Sequence, residues 1–345
     1  QHKIKKITLP IVYLAYDEDS VNNNAPIKFN DFPEFIIFSL YCLLIMNLQM
    51  TNGFINENYD EKQFLCQIER LLKNGEFRND RTGIGTYSIF GTQLRFNLRN
   101  SNFPLLTTRK IFWRAVVEEL LWFVRGSTNA EELSAKKIHI WDANSCREFL
   151  DKRGLEHYEA GDLGPIYGFQ WRHFGAMYKT TKDDYENQGI DQLKYCIDLI
   201  KNDPNNRRII MTSWNPLDIP KMALPPCHCM VQFYVSGKEL SCQVYQRAAD
   251  MGLGAPYNIA SYSLLIYMIC RVTGLQPGEF ILAIGDTHVY ANHVEGLREQ
   301  LKRIPRMFPK LNIKRKIDSI DDFQYEDFEL LNYEPYPNIY LPMAV

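Results

Sequence analysis

Phe64, Leu65, Ile68, Leu71 and Leu72 recur at three- and four-residue spacings, which predicts a helix closed by Gly75. A longer helical run spans about Thr108 to Val124 and ends at Arg125 and Gly126. At 100° per residue, Phe112, Val116, Glu119 and Phe123 fall within about 60° of one another, so a carboxylate interrupts an apolar stripe. Pro256 opens a third helix that ends before Gly274, with Asn258 in its first turn. Between these, Met230–Val235 reads as a strand, Ser236–Glu239 as a hairpin turn and Leu240–Gln246 as the returning strand. Pairing Val235 with Leu240 brings Arg247 back opposite His228, give or take a bulge.

The first 55 residues differ in character: a basic start, Asn22-Asn23-Asn24, then the apolar run Phe35–Met46. That run has about a dozen residues where a membrane span needs ~20, and Pro33 and Glu34 precede it. It lies far from the start for a signal peptide, with no small-residue cleavage pattern after it. The expectation is an N-terminal appendage over 1–55, peripheral or poorly ordered, ahead of a domain over 56–345, with Met50 a candidate initiator. No repeat and no glycine-rich nucleotide loop stands out; Gly83-Ile84-Gly85 lacks the third glycine of a dinucleotide turn.

Composition narrows the function without naming it. At 345 residues and 46% hydrophobic, the chain can bury a sizeable core. A formal net charge of −2 gives no reason to expect a nucleic-acid or membrane partner, while local arginines can still hold a small anion. The eight cysteines show no framework spacing, which predicts a reducing compartment, the cytoplasm first.

The chemistry concentrates at Leu224-Pro225-Pro226-Cys227-His228-Cys229. A guanidinium near Cys227 would favour the thiolate, the nucleophilic form, so Cys227 is the candidate for covalent catalysis. A core role is the common fate of a lone cysteine, and the flanking prolines and returning arginine argue against it. A metal is not expected, because adjacent residues on a strand face opposite ways and zinc-type gaps are missing. Glu119, buried in its stripe, is a candidate acid–base group or an ion-paired structural glutamate. Arg81, Arg207, Arg208 and Arg247 offer forks for a dianion, although each alone would pass for a surface charge.

Several runs taken together resemble the thymidylate synthase family from about Tyr59 to Val345. They are Phe103-Pro104-Leu105-Leu106-Thr107-Thr108, Glu118-Glu119-Leu120-Leu121-Trp122-Phe123, Gly161 to Arg172, Leu224 to His228, and Asp286-Thr287-His288-Val289-Tyr290, in that order. The resemblance implies an α+β fold with a large mixed sheet flanked by helices and a homodimer through stacked sheets. It implies a monofunctional form, since the first 55 residues leave no room for a fused reductase. The implied reaction is reductive methylation of dUMP to dTMP, with 5,10-methylenetetrahydrofolate giving carbon and hydride and no metal.

Residue by residue, the resemblance implies Cys227 as nucleophile, with Glu119, Tyr167, Asn258, Arg247 and Asp250 in the catalytic group. Arg81 and Arg247 would bind the 5′-phosphate with Arg207 and Arg208 of the other subunit. His228, Gln246, Asp250, Asn258, His288 and Tyr290 would contact the nucleotide, the last two at the ribose. The folate would meet Ile140, Trp141, Asn144, Leu224, Asp250, Leu253, Gly254 and Tyr257, with Arg109 near its glutamate tail. Met343, Ala344 and Val345 would close over the complex.

Two positions depart from the family pattern. Ala248 stands where a serine is usual, removing one donor to the phosphate, worth about 1.5–3 kcal/mol to a charged group. Arg109-Lys110 reverses the usual order, with little effect expected. The rival enzyme is a dCMP hydroxymethylase, against which Asn258 speaks, because a cytosine site prefers an acidic side chain there. The rival outside catalysis is a nucleotide- or RNA-binding relative, against which the intact set of Cys227, Glu119, Tyr167, Asn258 and four arginines speaks.

Overall fold

Asn58 caps the first helix, α1 (Tyr59–Asn74), by accepting from the Glu61 amide at 3.0 Å. Phe64, Ile68 and Leu71 turn the apolar stripe into the core, and Gly75 ends the helix as expected. Glu61 is itself fully buried and accepts from the amides and hydroxyls of Thr107 and Thr108 at 2.7–3.0 Å. Those donors are spent on a distant carboxylate, so Thr108 does not open a helix. The second helix, α2, runs only Trp113–Val124, and Phe112 stands ahead of it, half exposed. The apolar stripe is therefore shorter than predicted.

The computed structural model describes residues 57–80 and 82–343. They lie within one unit, Asn56–Val345; the expected N-terminal appendage falls outside the described residues. After α1 come β1 (Glu76–Arg78), β2 (Thr86–Asn97) and α2, then the short helices α3 (Glu131–Ser134), α4 (Asp142–Ser145) and α5 (Arg147–Lys152). Next follow α6 (Tyr167–His173), α7 (Gln192–Asn202), β3 (Ile210–Thr212), β4 (His228–Ser236), β5 (Glu239–Asp250) and α8 (Gly254–Thr273). The described chain ends through β6 (Gln276–Tyr290), α9 (Val294–Leu301) and a hairpin of β7 (Lys310–Ile313) and β8 (Phe328–Leu331).

A mixed sheet in the order β1-β2-β6-β5-β4-β3 carries the molecule, all neighbours antiparallel except β5 with β6. Parallel strands need a crossover, and α8 supplies it, buried on nearly every side and ended by Gly274 at φ 74°. Each Leu or Ile sealed there contributes roughly 1.5–3 kcal/mol over exposure. The sheet's other face carries Ile210, Met230, Tyr234 and Tyr245, between 36% and 67% exposed. Among the described residues no helix is long and apolar enough to cross a membrane.

Candidate active site

The β4–β5 hairpin sets the reactive residues. Val235 pairs with Leu240 as the alternation predicts, but an irregularity between His228 and Met230 takes up one residue. His228 then faces Gln246, and the Arg247 amide donates to the Cys227 carbonyl at 2.9 Å. The guanidinium donates from Nε to Pro226 O at 2.8 Å and from Nη2 to Pro225 O at 3.0 Å. The prolines thus present rigid carbonyls that aim the fork. Nη2 comes within 3.7 Å of Cys227 Sγ, where its charge favours the thiolate. Cys229 is oriented otherwise: it is 9% exposed, and burial pushes its thiol pKa up.

Tyr167, first residue of α6, accepts the Cys227 amide at 2.8 Å through its hydroxyl and stacks on His228 with ring centres 4.2 Å apart. Burial holds that phenol well above its usual pKa, so it remains a hydroxyl. Burial, and then Arg247, pull His228 down to about 3, so the ring is neutral. Its Nδ1 lies 2.7 Å from Tyr262 Oη and its Nε2 lies 3.4 Å from Asn258 Nδ2. A ring that donates from Nδ1 leaves Nε2 free to accept from Asn258. Gln246 Nε2 donates to Asn258 Oδ1 at 2.7 Å, while Gln246 Oε1 is buried with no partner. Tyr262 was not singled out in the sequence, although it sits one turn after Asn258 on the same helix face.

Glu119 is only partly exposed, and burial lifts its carboxyl to about 7 against the pull of Trp141 Nε1, which donates at 2.8 Å. Trp141 packs edge-on to Tyr167 at 6.0 Å, joining the carboxyl to the cysteine region. Ile140, Leu224, Leu253 and Tyr257 are partly buried against the core, and Tyr257 lies close enough to feel both Arg109 and Glu119. Asn144 sits half-buried in α4, and Gly254 begins α8. Asp250 accepts the Gly252 and Leu253 amides at 2.7 and 3.0 Å. Burial alone would raise its carboxyl, but His293, His288 and the Leu253 amide bring it below the usual range.

The parallel pair places Asp250 opposite His288. His288 Nδ1 is 3.1 Å from Asp286 Oδ1, which also accepts from Ser88 at 2.8 Å, and Tyr290 meets His288 edge-on at 5.4 Å. Asp286 has no charge pattern of its own in the sequence to mark it as the support of His288. Arg109 is 2% exposed and donates to Gly252 O, while Lys110 is exposed.

Arg207 and Arg208 are exposed on the turn before β3. The end pair of the β3–β4 register, Ile210 with Gln232, lies five positions along β4 from Cys227, roughly 17 Å at about 3.4 Å per residue, and Gln232 Nε2 donates to the Arg207 carbonyl at 3.4 Å. That separation sets both arginines away from their own chain's cysteine. Met343 is half exposed, and Arg81 and Ala344 lie outside the described residues. No group of three or more His, Cys, Asp and Glu among the described residues is placed to hold a metal. A groove of about 570 Å³ along Arg99, Glu239, Arg271 and Gln276 contains none of the groups gathered around Cys227.

The profile of the thymidylate synthase family matches residues 62–345. The chain belongs to the thymidylate synthase family. Thymidylate synthase of Homo sapiens is 59% identical over 287 residues, covering 83% of this chain and 91% of that one. Thymidylate synthase of Herpesvirus ateles is 59% identical over 291 residues, covering 84% of this chain and all of the viral one. The bifunctional dihydrofolate reductase-thymidylate synthase of Zea mays is 57% identical over 299 residues, 57% of its own length. Membership in the thymidylate synthase family carries the activity: the chain is a methyltransferase that converts dUMP to dTMP. The α+β reading holds as well, with a six-stranded mixed sheet flanked by helices.

Proposed function

We propose that Cys227 attacks C6 of dUMP and that the side chains around it carry the nucleotide through methylation at C5. The observation that carries this reading is the Arg247 fork, fixed by Pro225 and Pro226, 3.7 Å from Cys227 Sγ. Addition at C6 makes C5 an enolate carbon, with negative charge on O4. Asn258 offers a donor for O4 and an acceptor for N3–H, and the unpartnered Gln246 Oε1 suits a ligand donor nearby. Glu119, poised at about 7, can give a proton and take it back near neutrality. Tyr167, still protonated, orders the water that receives the C5 proton.

5,10-Methylenetetrahydrofolate supplies the carbon and the hydride. Ile140, Trp141, Leu224, Leu253 and Tyr257 would form its apolar wall, with Asp250, Glu119 and Asn144 as polar ends and Gly254 leaving space for a flat heterocycle bearing N–H donors. Asp250 would meet that ring, and Arg109, held on the Gly252 carbonyl, would lie near the glutamate tail. His288 and Tyr290 would hold the ribose hydroxyl, and Met343 to Val345 would exclude water.

Arg81 and Arg247 would bind the 5′-phosphate with Arg207 and Arg208 of the second subunit. The separation of roughly 17 Å along β4 and the uncovered Ile210, Met230, Tyr234 and Tyr245 face both support a homodimer with stacked sheets. A thiolate enzyme of this kind belongs in a reducing compartment such as the cytoplasm. The test is dihydrofolate formation from 5,10-methylenetetrahydrofolate with dUMP or dCMP, beside a Cys227→Ser control. Product with dUMP alone, lost in the control, supports the reading; no product with dUMP from a folded protein overturns it.

A further inference from the structure

His293 is fully buried, and an acceptor faces each of its ring nitrogens. Nε2 lies 2.7 Å from the Pro342 carbonyl, and Nδ1 lies 3.6 Å from Asp250 Oδ1. Nδ1 makes no hydrogen bond at that separation, so it is a sealed polar atom aimed at a carboxylate. A neutral imidazole carries a single N–H. With the proton on Nε2, the Nδ1 lone pair faces Asp250; with it on Nδ1, two lone pairs meet at Pro342. Only the imidazolium presents a donor to both. We infer that His293 is a positioning residue that, as an imidazolium, ties the C-terminal segment to Asp250, so that docking of the tail follows its protonation.

Packing on both sides leaves the ring little room to evade this choice. A Cβ at Gly252 would stand 2.4 Å from Nδ1 and 3.0 Å from Asp250 Oδ1, so only glycine lets the ring sit there. The tail is held a second time at Gly296, where a Cβ would come 2.6 Å from Leu341 and 3.0 Å from Ile339. The groups facing His293 are Asp250 from β5, Arg109 from the segment before α2, Tyr290 from β6, edge-on at 5.6 Å, and Pro342 from the tail. Burial and Arg109 lower its pKa; Asp250 and the Pro342 carbonyl outweigh them and leave it above the usual histidine value. The Asp250 carboxyl is displaced downward by the same contact, as an ion pair requires.

The tether can be tested without any assumption about the reaction; its consequence for turnover rests on the proposed function. Carboxypeptidase trimming of the native protein across pH, normalised to a free peptide of the same C-terminal sequence, reads tail release. Imidazole nitrogen NMR reads the protonation of His293. The expected result is two protonated nitrogens at neutral pH and trimming that accelerates several-fold as pH rises through the His293 titration. His293→Gln keeps a donor for Pro342 without a charge, and its trimming should lose that pH dependence. In the same variant kcat should fall while the dUMP dissociation constant changes little. A neutral ring in the native protein at neutral pH, or identical trimming profiles for native and His293→Gln proteins, would overturn the inference. If the variant does not fold, the native NMR and trimming profiles decide alone. A pH-dependent tail on a protein that makes no dTMP would leave the tether standing and remove the proposed function.

Discussion

Replacing Glu119 with glutamine separates the cost of burying a carboxyl from its use. Lifting the group from 4.5 to about 7 disfavours its charged form by roughly 3 kcal/mol, at about 1.4 kcal/mol for each tenfold. Below 4.5 both folded and unfolded chains hold the proton, and the residue costs nothing electrostatically. Between 4.5 and about 7 the unfolded chain releases its proton first, so stability falls as pH rises; above about 7 the full penalty is in place. Glutamine keeps an acceptor for Trp141 Nε1 and has nothing to ionise. Urea unfolding at one protein concentration, at about pH 5 and about pH 8, should show Glu119→Gln gaining up to roughly 3 kcal/mol on the native protein at the higher pH. Its kcat should drop by about 10²–10⁴. Parallel stability profiles for the two proteins would refute the burial argument, and a native kcat would refute the proton role.

Ala248→Ser restores the donor usual in the family and should tighten dUMP binding by roughly tenfold in calorimetry; an unchanged affinity would mean the arginines already saturate the phosphate. Mixing inactive Cys227→Ser with an inactive Arg207→Ala, Arg208→Ala double variant should regain roughly a quarter of native activity through hybrid dimers, whereas arginines acting within one chain would give none. Gly252→Ala should destabilise the protein through its clash with His293 and speed carboxypeptidase trimming, and native trimming would count against the packing described.

The hairpin register was legible in the chain because the alternation from Met230 to Gln246 permits one pairing that buries Val231, Phe233 and Val244. The extra residue near Cys229 was not, since alternation does not reveal where a strand slips by one. Yet that slip is what brings the Arg247 amide to Cys227 instead of His228. The start of α2 is not legible because periodicity is blind to a carboxylate 47 residues away that takes up the Thr108 amide and hydroxyl. Glu119 was legible as a carboxyl in an apolar setting, although Phe112 does not help enclose it and Trp141 does. The burial of Arg109 has no sequence signal: its partner is the Gly252 carbonyl, which only the fold brings to it. Tyr262 and His293 carry no sequence signal, and Asp286 is visible only as part of a motif, because each acts through a partner that the fold supplies.

The central claim is a bond between Cys227 and C6 of the nucleotide. A dUMP analogue with fluorine at C5 cannot lose that substituent as a cation, so the adduct should persist with the folate co-substrate present. Peptide mass spectrometry of the denatured complex is the direct test. The account predicts one nucleotide on the peptide that contains Cys227 and none on that peptide from Cys227→Ser; a nucleotide on another residue, or none at all while native protein turns over dUMP, would contradict it.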